Sequence, residues 1–503
     1  MRLIKYFSLL FLILCFSKNI NAQGITNLWL LGYSEDGGDF GGSNIDFYFN
    51  NADTSRVHRP INFGFDAVNI SDSLGQLLFC TNGFDVANRH GDTMSNGFGL
   101  YGSDNPTGWS RFGGDFIQGC IILPDPGNTN HYYIFHETGD LYVSFIDYAG
   151  MYPRDLYCSE VDLTLNSGLG EVINKNTVIL HDTLTSGQLT ACKHANGRDY
   201  WLIVPELKRP SYYSYLLTPA GLQLMGSQSI GIRTGLSGQC AFSPDGNTYA
   251  YYNWYSGLEV FDFDRCSGTF SNARLVTNVD TMETGWGLAF SPDSRKIYLS
   301  SGLFLHQFNL DDTSLAASNR IIGIWDGFYD QIPFGTMFGF LQLAPDGKIY
   351  ISTGNGSHYL HCIENPNVVG VGCDLVQRKV KLPTWNYNSF PNHPNYFLGA
   401  VSGSNCDTIT DVNEVEIRKY SISAYPNPVV AGGSASLVYP TLKNAGAVLE
   451  LFNISGQKIS EYELPQWSQN YRLKIPDGVN GLVLLKIRTG EYVATAKLVV
   501  IGK

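Results

Sequence analysis

Three stretches interleave aromatic side chains with amides and carboxylates: YNWYSG at 252–257, WDGFYD at 325–330 and WNYNSF at 385–390. Aromatic rings offer large rigid contact area, and neighbouring Asn and Asp add directed hydrogen bonds, a combination that recognises sugars or peptides. Trp254, Tyr255, Trp325, Tyr329, Trp385 and Tyr387 are therefore the candidate binding residues, provided the fold gathers these loops on one rim. The competing reading for any one of them is packing inside the fold. A second group, Asp36, Asp39 and Asp46, lies in and beside a glycine-rich stretch. Hard oxygen ligands on a pliable backbone suit calcium, but the EF-hand order is absent and a solvated turn is the competing reading.

Other chemistry finds little support in the linear pattern. His131 and His136 bracket a strand-like run, and residues five apart on a strand face opposite sides, so they cannot share a metal. His358 and His361, three apart, have the same problem. Neither an H-E-x-x-H zinc helix nor a G-x-S-x-G nucleophile elbow occurs, and the absence of paired C-x-x-C spacing argues against a structural zinc site.

The elements that must position these loops are short strands in a repeat. The clearest copies are AFSPDGNTYAYY at 241–252, AFSPDSRKIYLS at 289–300 and LAPDGKIYIS at 343–352; looser ones are DSLGQLLFCT at 72–81, DPGNTNHYYIFH at 125–136 and HANGRDYWLIV at 194–204. Each leads a strand into a Pro-Asp-Gly-type turn, where Pro presets φ and Asp and Gly supply the local bond and the positive φ. The spacing of about 50 residues, with several strands per unit and no helical apolar period, predicts an all-β propeller over residues 24–403. Seven blades are expected, with six or eight left open. The strands at NLWLLGY (27–33) and NYFLGAV (395–401) are expected to close a further blade from both ends of that region.

The repeat resembles WD-type propeller repeats. Residues 28–403 as a whole resemble an uncharacterised family of Bacteroidetes surface propellers, on the strength of LGY at 31–33, LLFCTNG at 77–83, FDFDRCSG at 261–268 and PNHPNYFLG at 391–399. That family implies the fold and no assigned reaction. The S-x-D-x-G-x-x-W box of propeller sialidases is not kept at Ser243 or Ser291.

Residues 1–22 read as a secretory signal: Arg2 and Lys5, an apolar run at 7–16 too short to span a bilayer, and a small residue, Ala22, at the cut. No later run is apolar enough to be a transmembrane segment. Cleavage would take the net charge from −12 to −15 by removing Arg2, Lys5 and Lys18, a surface that repels phosphate backbones, so nucleic acid is not an expected partner. Nine cysteines would remain, an odd number in a compartment that permits disulfides. Cys373 and Cys406 are paired on their similar Gly/Asn-rich settings near the end of the large region; the rest of the connectivity stays open.

Residues 404–420 are polar and unpatterned, a linker, and 421–503 form a second β-rich unit. There YPNP (425–428), LELFNISGQKI (449–459), GLVLLKI (481–487) and TAKLVVI (495–501) stand in the order of a type A sorting domain of the Bacteroidetes type IX secretion system, which the unit resembles across nearly all of its length. A family aromatic after Gly481 is replaced by Leu-Val. The alternation of Val483, Leu485 and Ile487 with Leu484, Lys486 and Arg488 fits a half-buried strand in a small Ig-like sandwich. The resemblance implies recognition by the type IX machinery and removal in the linker, with Pro426, Asn427, Pro428, Gly456, Gly481 and Lys497 as motif residues. The expectation is thus a secreted or surface-attached propeller that binds an extracellular glycan or protein. The alternative is a secreted polysaccharide- or peptide-cleaving hydrolase or lyase with its site at the central rim.

Overall fold

The computed structural model describes residues 24–502 except 34–40, 48–51, 60, 74, 101–112, 115, 138–140, 146–147, 233–234, 236–237, 254–255, 278, 280–286, 408–421, 440–446, 454–456, 467 and 489–492. Among the described residues the regular structure is β throughout, with three short 3-10 turns.

Six four-stranded antiparallel meanders follow one another. Blade II runs from Val68 to Phe98, blade III from Cys120 to His181, blade IV from Thr190 to Ser229, blade V from Gln239 to Val276, blade VI from Leu288 to Ile324 and blade VII from Leu341 to Asn386. A three-stranded unit, Leu28–Leu31, Gly41–Asp46 and Asp53–His58, is blade I. The second strands of blades II to VII begin at Leu77, Asn128, Tyr200, Thr248, Lys296 and Ile349, close to the repeat positions in the sequence. The one wide spacing arises because blade III carries an inserted hairpin, Leu141–Phe145 with Tyr148–Tyr152.

The apolar faces seal in a circle. Trp29, Leu31 and Phe47 of blade I pack with Tyr350 and Leu360 of blade VII, and Leu30 packs with Ala67, Cys80 and Ala87 of blade II. Further clusters join II, III and IV, IV and V, V and VI, and VI and VII. Every blade therefore buries both faces against neighbours, which a single sheet of four short strands cannot do alone. The ring is a seven-bladed propeller.

First strands of neighbouring blades touch around the centre, and last strands lie outermost and more exposed. Because each blade is an antiparallel meander, one face of the ring carries the inter-blade connections and the loops joining second and third strands; the other carries the tight turns. We call these the connection face and the turn face. The repeated Pro-Asp-Gly motif forms turns of the second kind: Asp245 accepts from Ser243 Oγ and Asn247 N, and Gly246 takes φ +75° where a Cβ would meet Arg265 and Cys192.

Ring closure differs from the sequence expectation. Leu28–Leu31 leads to Gly32 and Tyr33, bridged to Phe63 and Trp385 on the connection face, so it runs opposite to the other first strands. The innermost place in blade I is taken by residues 387–401, and these do not form a strand. Their amides and ring groups bind by side chain instead: Ser389 Oγ accepts from Gly32 N, Asn392 Nδ2 donates to the carbonyls of Cys120 and Leu189, and Tyr396 Oη donates to Ile122 O. The segment passes from Asn388, bonded to Gly64 on the connection face, to Val401, bonded to Ala195 on the turn face, so it threads the central channel. Gln118, held by both the amide and carbonyl of Cys240, and Gln239, held by Leu288 and Leu341, bridge inner strands of different blades across the centre. A cavity of about 990 Å³ remains on the turn face, bordered by Pro244, Pro292, Pro345 and Leu398.

The second unit is a two-sheet sandwich. Ser423–Tyr425, Ser434–Val438 and Asn470–Lys474 face a five-stranded sheet that includes Ala447–Phe452, Gly481–Arg488 and Val493–Ile501. Leu437, Leu449, Leu451, Leu473, Leu485, Ile487 and Leu498 are fully buried between the sheets.

Candidate functional site

The connection face of blades VI and VII carries the aromatic cluster. The chain between them, 325–340, folds into a hairpin of Tyr329–Gln331 and Phe334–Gly335. Trp325 lies edge-on to Tyr329, with centroids 5.5 Å apart, and Gly335 sits so close to the indole that a Cβ would lie 2.8 Å from it. The hairpin is pinned to blade VII. Asp330 accepts from the amide of His358 and pairs with its Nδ1, both at 2.9 Å, and Asn355 Nδ2 donates to Gly335 O at 3.0 Å.

Trp385 ends the last strand of blade VII at the same rim. His358 covers it at 4.7 Å, Phe334 meets it edge-on at 6.1 Å, and the Gly356 backbone lies against it. Arg378 forms a fork on Asp326, with bonds of 2.9 and 2.5 Å, and stacks 4.5 Å over Phe328, which meets Tyr359 edge-on. The Arg378 bonds hold the Asp326 carboxyl below the ordinary carboxylate range. The rim thus brings together Trp325, Tyr329 and Trp385 from two of the three aromatic loops. Tyr387 is on the same face but turned toward blade II, against Phe65 at 4.9 Å. Trp254 and Tyr255 lie outside the described residues.

Exposure divides this cluster. Trp325 and Trp385 are half-buried against the hairpin's Tyr329 and Phe334. Phe328, Tyr329 and Phe334 are exposed, and Ile332 at the hairpin tip is 85% exposed. Loop-by-loop sequence reading singled out neither Ile332, Phe334 nor the Asp330–His358 pin; the IPF run at 332–334 is the signal that was there to find. Ile324 on the last strand of blade VI and Val371 in the turn between the last two strands of blade VII are exposed as well.

Other sequence candidates fare differently. Asp36 and Asp39 lie outside the described residues. Asp46 ends Gly41–Asp46 opposite Asp53. His131 is held between Asp125 and Glu160, at 3.0 and 3.2 Å, whereas His136 is buried against Tyr157 and Ser159, its pKa pushed down to about 3 by burial. Asp66 and Glu137 flank the start of blade III's inner strand but are only 1% exposed. Asp66 accepts from Gly119 N and Cys120 N, and Glu137 from Gly187 N; burial raises the Glu137 pKa well above its ordinary value.

The cysteine pairing is corrected. Cys406 bonds to Cys266, with Cα atoms 5.6 Å apart, and Cys373 is a buried free thiol beneath Tyr298 in the VI–VII core. Cys373 is fixed within blade VII, whereas the threading segment carries Cys406 through the channel to the turn of blade V. Similar local settings therefore say nothing about which thiols meet.

In the C-terminal unit the motif residues converge. Asn427, between Pro426 and Pro428, donates to Lys497 O at 2.8 Å and accepts from Val499 N at 2.9 Å, clamping the start of the domain to its last strand. Gly481 opens its strand at φ +89°, and Lys497 stands opposite Leu484. Gly456 lies outside the described residues.

Residues 423–501 match the secretion system C-terminal sorting domain family. No curated protein matches the chain. Among solved structures, the ring is similar to a protein from Lactobacillus plantarum, at 10% identity and TM-score 0.42 over 72% of this chain and 98% of that one. It is also similar to a putative 6-phosphogluconolactonase from Bacteroides uniformis, at 13% and 0.46 over 72% and 98%. A further putative 6-phosphogluconolactonase, from Bacteroides fragilis, aligns at 10% and 0.39 over 74% and 98%. Likenesses this distant bear on no activity. No helix among the described residues is long and apolar enough to cross a membrane. The C-terminal unit is a type IX secretion sorting domain, and the chain that carries it is secreted or attached to the outer cell surface.

Proposed function

We propose that the ring is an extracellular binding module whose contact surface is the hairpin rim of blades VI and VII. One observation carries this reading: Phe328, Tyr329, Ile332 and Phe334 stand exposed on a hairpin that Asp330, His358, Trp325 and Trp385 hold rigid. A rigid, exposed apolar knob is what a recognition surface needs, because little ordering is lost on contact. An aliphatic tip and covered tryptophan faces favour a protein surface over a sugar as the ligand. The buried state of Asp66 and Glu137 lends no support to hydrolysis at the channel mouth.

The test is binding of the purified full chain to a panel of extracellular proteins and a glycan array, beside Ile332→Asp and a general hydrolase screen. The reading expects a protein ligand whose binding Ile332→Asp abolishes. It fails if that variant binds every surface as the wild type does, or if turnover appears and is lost on replacing a rim carboxylate.

A further inference from the structure

The segment that closes the ring is bound unlike any other part of it. Residues 387–401 make no strand ladder, yet their bonds reach six blades. Ser389 meets Gly32 of blade I, and Asn388 meets Ser352 of blade VII. His393 Nε2 meets Asn69 O of blade II, Asn392 reaches blade III and the start of blade IV, Asn395 Nδ2 donates to Pro244 O of blade V, and Gly399 O accepts from Arg265. Cys406 comes five residues after Val401 and two before the span 408–421 that leads to the sorting domain. Cys266, its partner, sits in the turn between the third and fourth strands of blade V. That turn is itself anchored: Arg265 donates to Lys193 O and His194 O, and Ala195 N donates back to Arg265 O.

A segment at the end of the ring held by scattered side-chain bonds and a few isolated backbone bonds, with no strand ladder, frays easily, because each bond is exchanged for water as the end lifts. A covalent tie at its far end removes that route. The tie closes a loop of 140 residues, so it restrains the open state strongly. We infer that residues 387–406 are a redox-locked clasp: the Cys266–Cys406 bridge fastens the ring shut at the start of the 404–420 linker, so the propeller stays closed when the sorting domain is removed beyond it. The bridge forms when the two thiols give two electrons and two protons to an exchanging disulfide, which leaves as two thiols. Only an oxidising compartment sustains it. The other cysteines among the described residues are buried free thiols, so a reductant acts on this bridge alone there.

Limited proteolysis of the full chain, with fragments mapped by mass spectrometry, tests this with and without dithiothreitol and on Cys406→Ser. In the oxidised protein, the segment 391–406 should resist cutting. With the bridge reduced or Cys406 replaced, cuts within 391–406 should accelerate about tenfold or more. Should Cys406→Ser not fold, reduction of the folded wild type makes the same comparison. Equal cutting within 391–406 in all arms overturns the clasp, as does alkylation of Cys266 and Cys406 as free thiols in unreduced protein.

Discussion

The hydroxyl of Tyr396 donates to the carbonyl of Ile122 across 274 residues of sequence, at 2.8 Å, inside the channel of the ring. Both groups are buried, so the bond joins the end of the propeller to the inner strand of blade III where water cannot substitute. Closure of this ring thus rests on side-chain hydrogen bonds spread over several blades, with the ladder of blade I stopping at its second innermost place.

Tyr396→Phe should lower the unfolding free energy of the ring by about 1–2 kcal/mol, the cost of one buried hydrogen bond. Asn392→Leu should cost more, since it leaves the carbonyls of Cys120 and Leu189 bare in the channel. Urea unfolding followed by tryptophan fluorescence measures both. Equal, negligible effects would show that the segment is dispensable for closure.

The rim separates contact from support. Ile332→Asp should leave thermal stability within about 0.5 kcal/mol of wild type, because the side chain is solvated. Trp385→Ala should loosen the hairpin by removing the ring against which Phe334 and His358 pack, at about 2–4 kcal/mol. Hydrogen exchange across 325–340 distinguishes the two: the second variant speeds exchange there and the first does not.

Glu259 is buried between blades IV and V, accepts one bond from Ile232 N, and has its pKa pushed up to about 7 by that burial. Its folded value exceeds the unfolded value, so the folded state keeps a proton that the unfolded chain releases. Stability from this group is therefore complete below about pH 4.5 and is lost as pH rises toward 7, by roughly 3 kcal/mol in all. Glu259→Gln should erase that slope and raise stability at pH 8 relative to wild type. Neutral buried histidines such as His393, pushed down to about 4, pull the other way below pH 6.5, so the difference between variant and wild type is the quantity to plot.

Leu485→Ala hollows the fully buried centre of the sorting sandwich and should cost it about 2–5 kcal/mol, most of what so small a domain has. Fractionation of cells carrying this variant should find the chain held inside the envelope with its propeller folded. Normal appearance outside would mean that the sandwich is not the export signal.

Much of this architecture can be read from the chain because it is locally encoded. The Pro-Asp-Gly turns at 244–246 and 345–347 predict where second strands begin, since turn chemistry and the aromatic–aliphatic alternation after it are properties of adjacent residues. The sorting unit is legible for the same reason: PNP at 426–428 and the alternating run at 481–488 declare their roles within a few positions. Closure was not legible. NYFLGAV at 395–401 has a strand's composition, but it lies where the first strands of several blades crowd in, and its neighbours offer carbonyls to Asn and Tyr side chains in place of a free ladder edge. Which thiol Cys406 meets, and which aromatics stand in solvent, depended on that path through the ring. Local pattern dictates blades; only the closed circle decides what meets across its centre, because those contacts join residues that share no sequence neighbourhood.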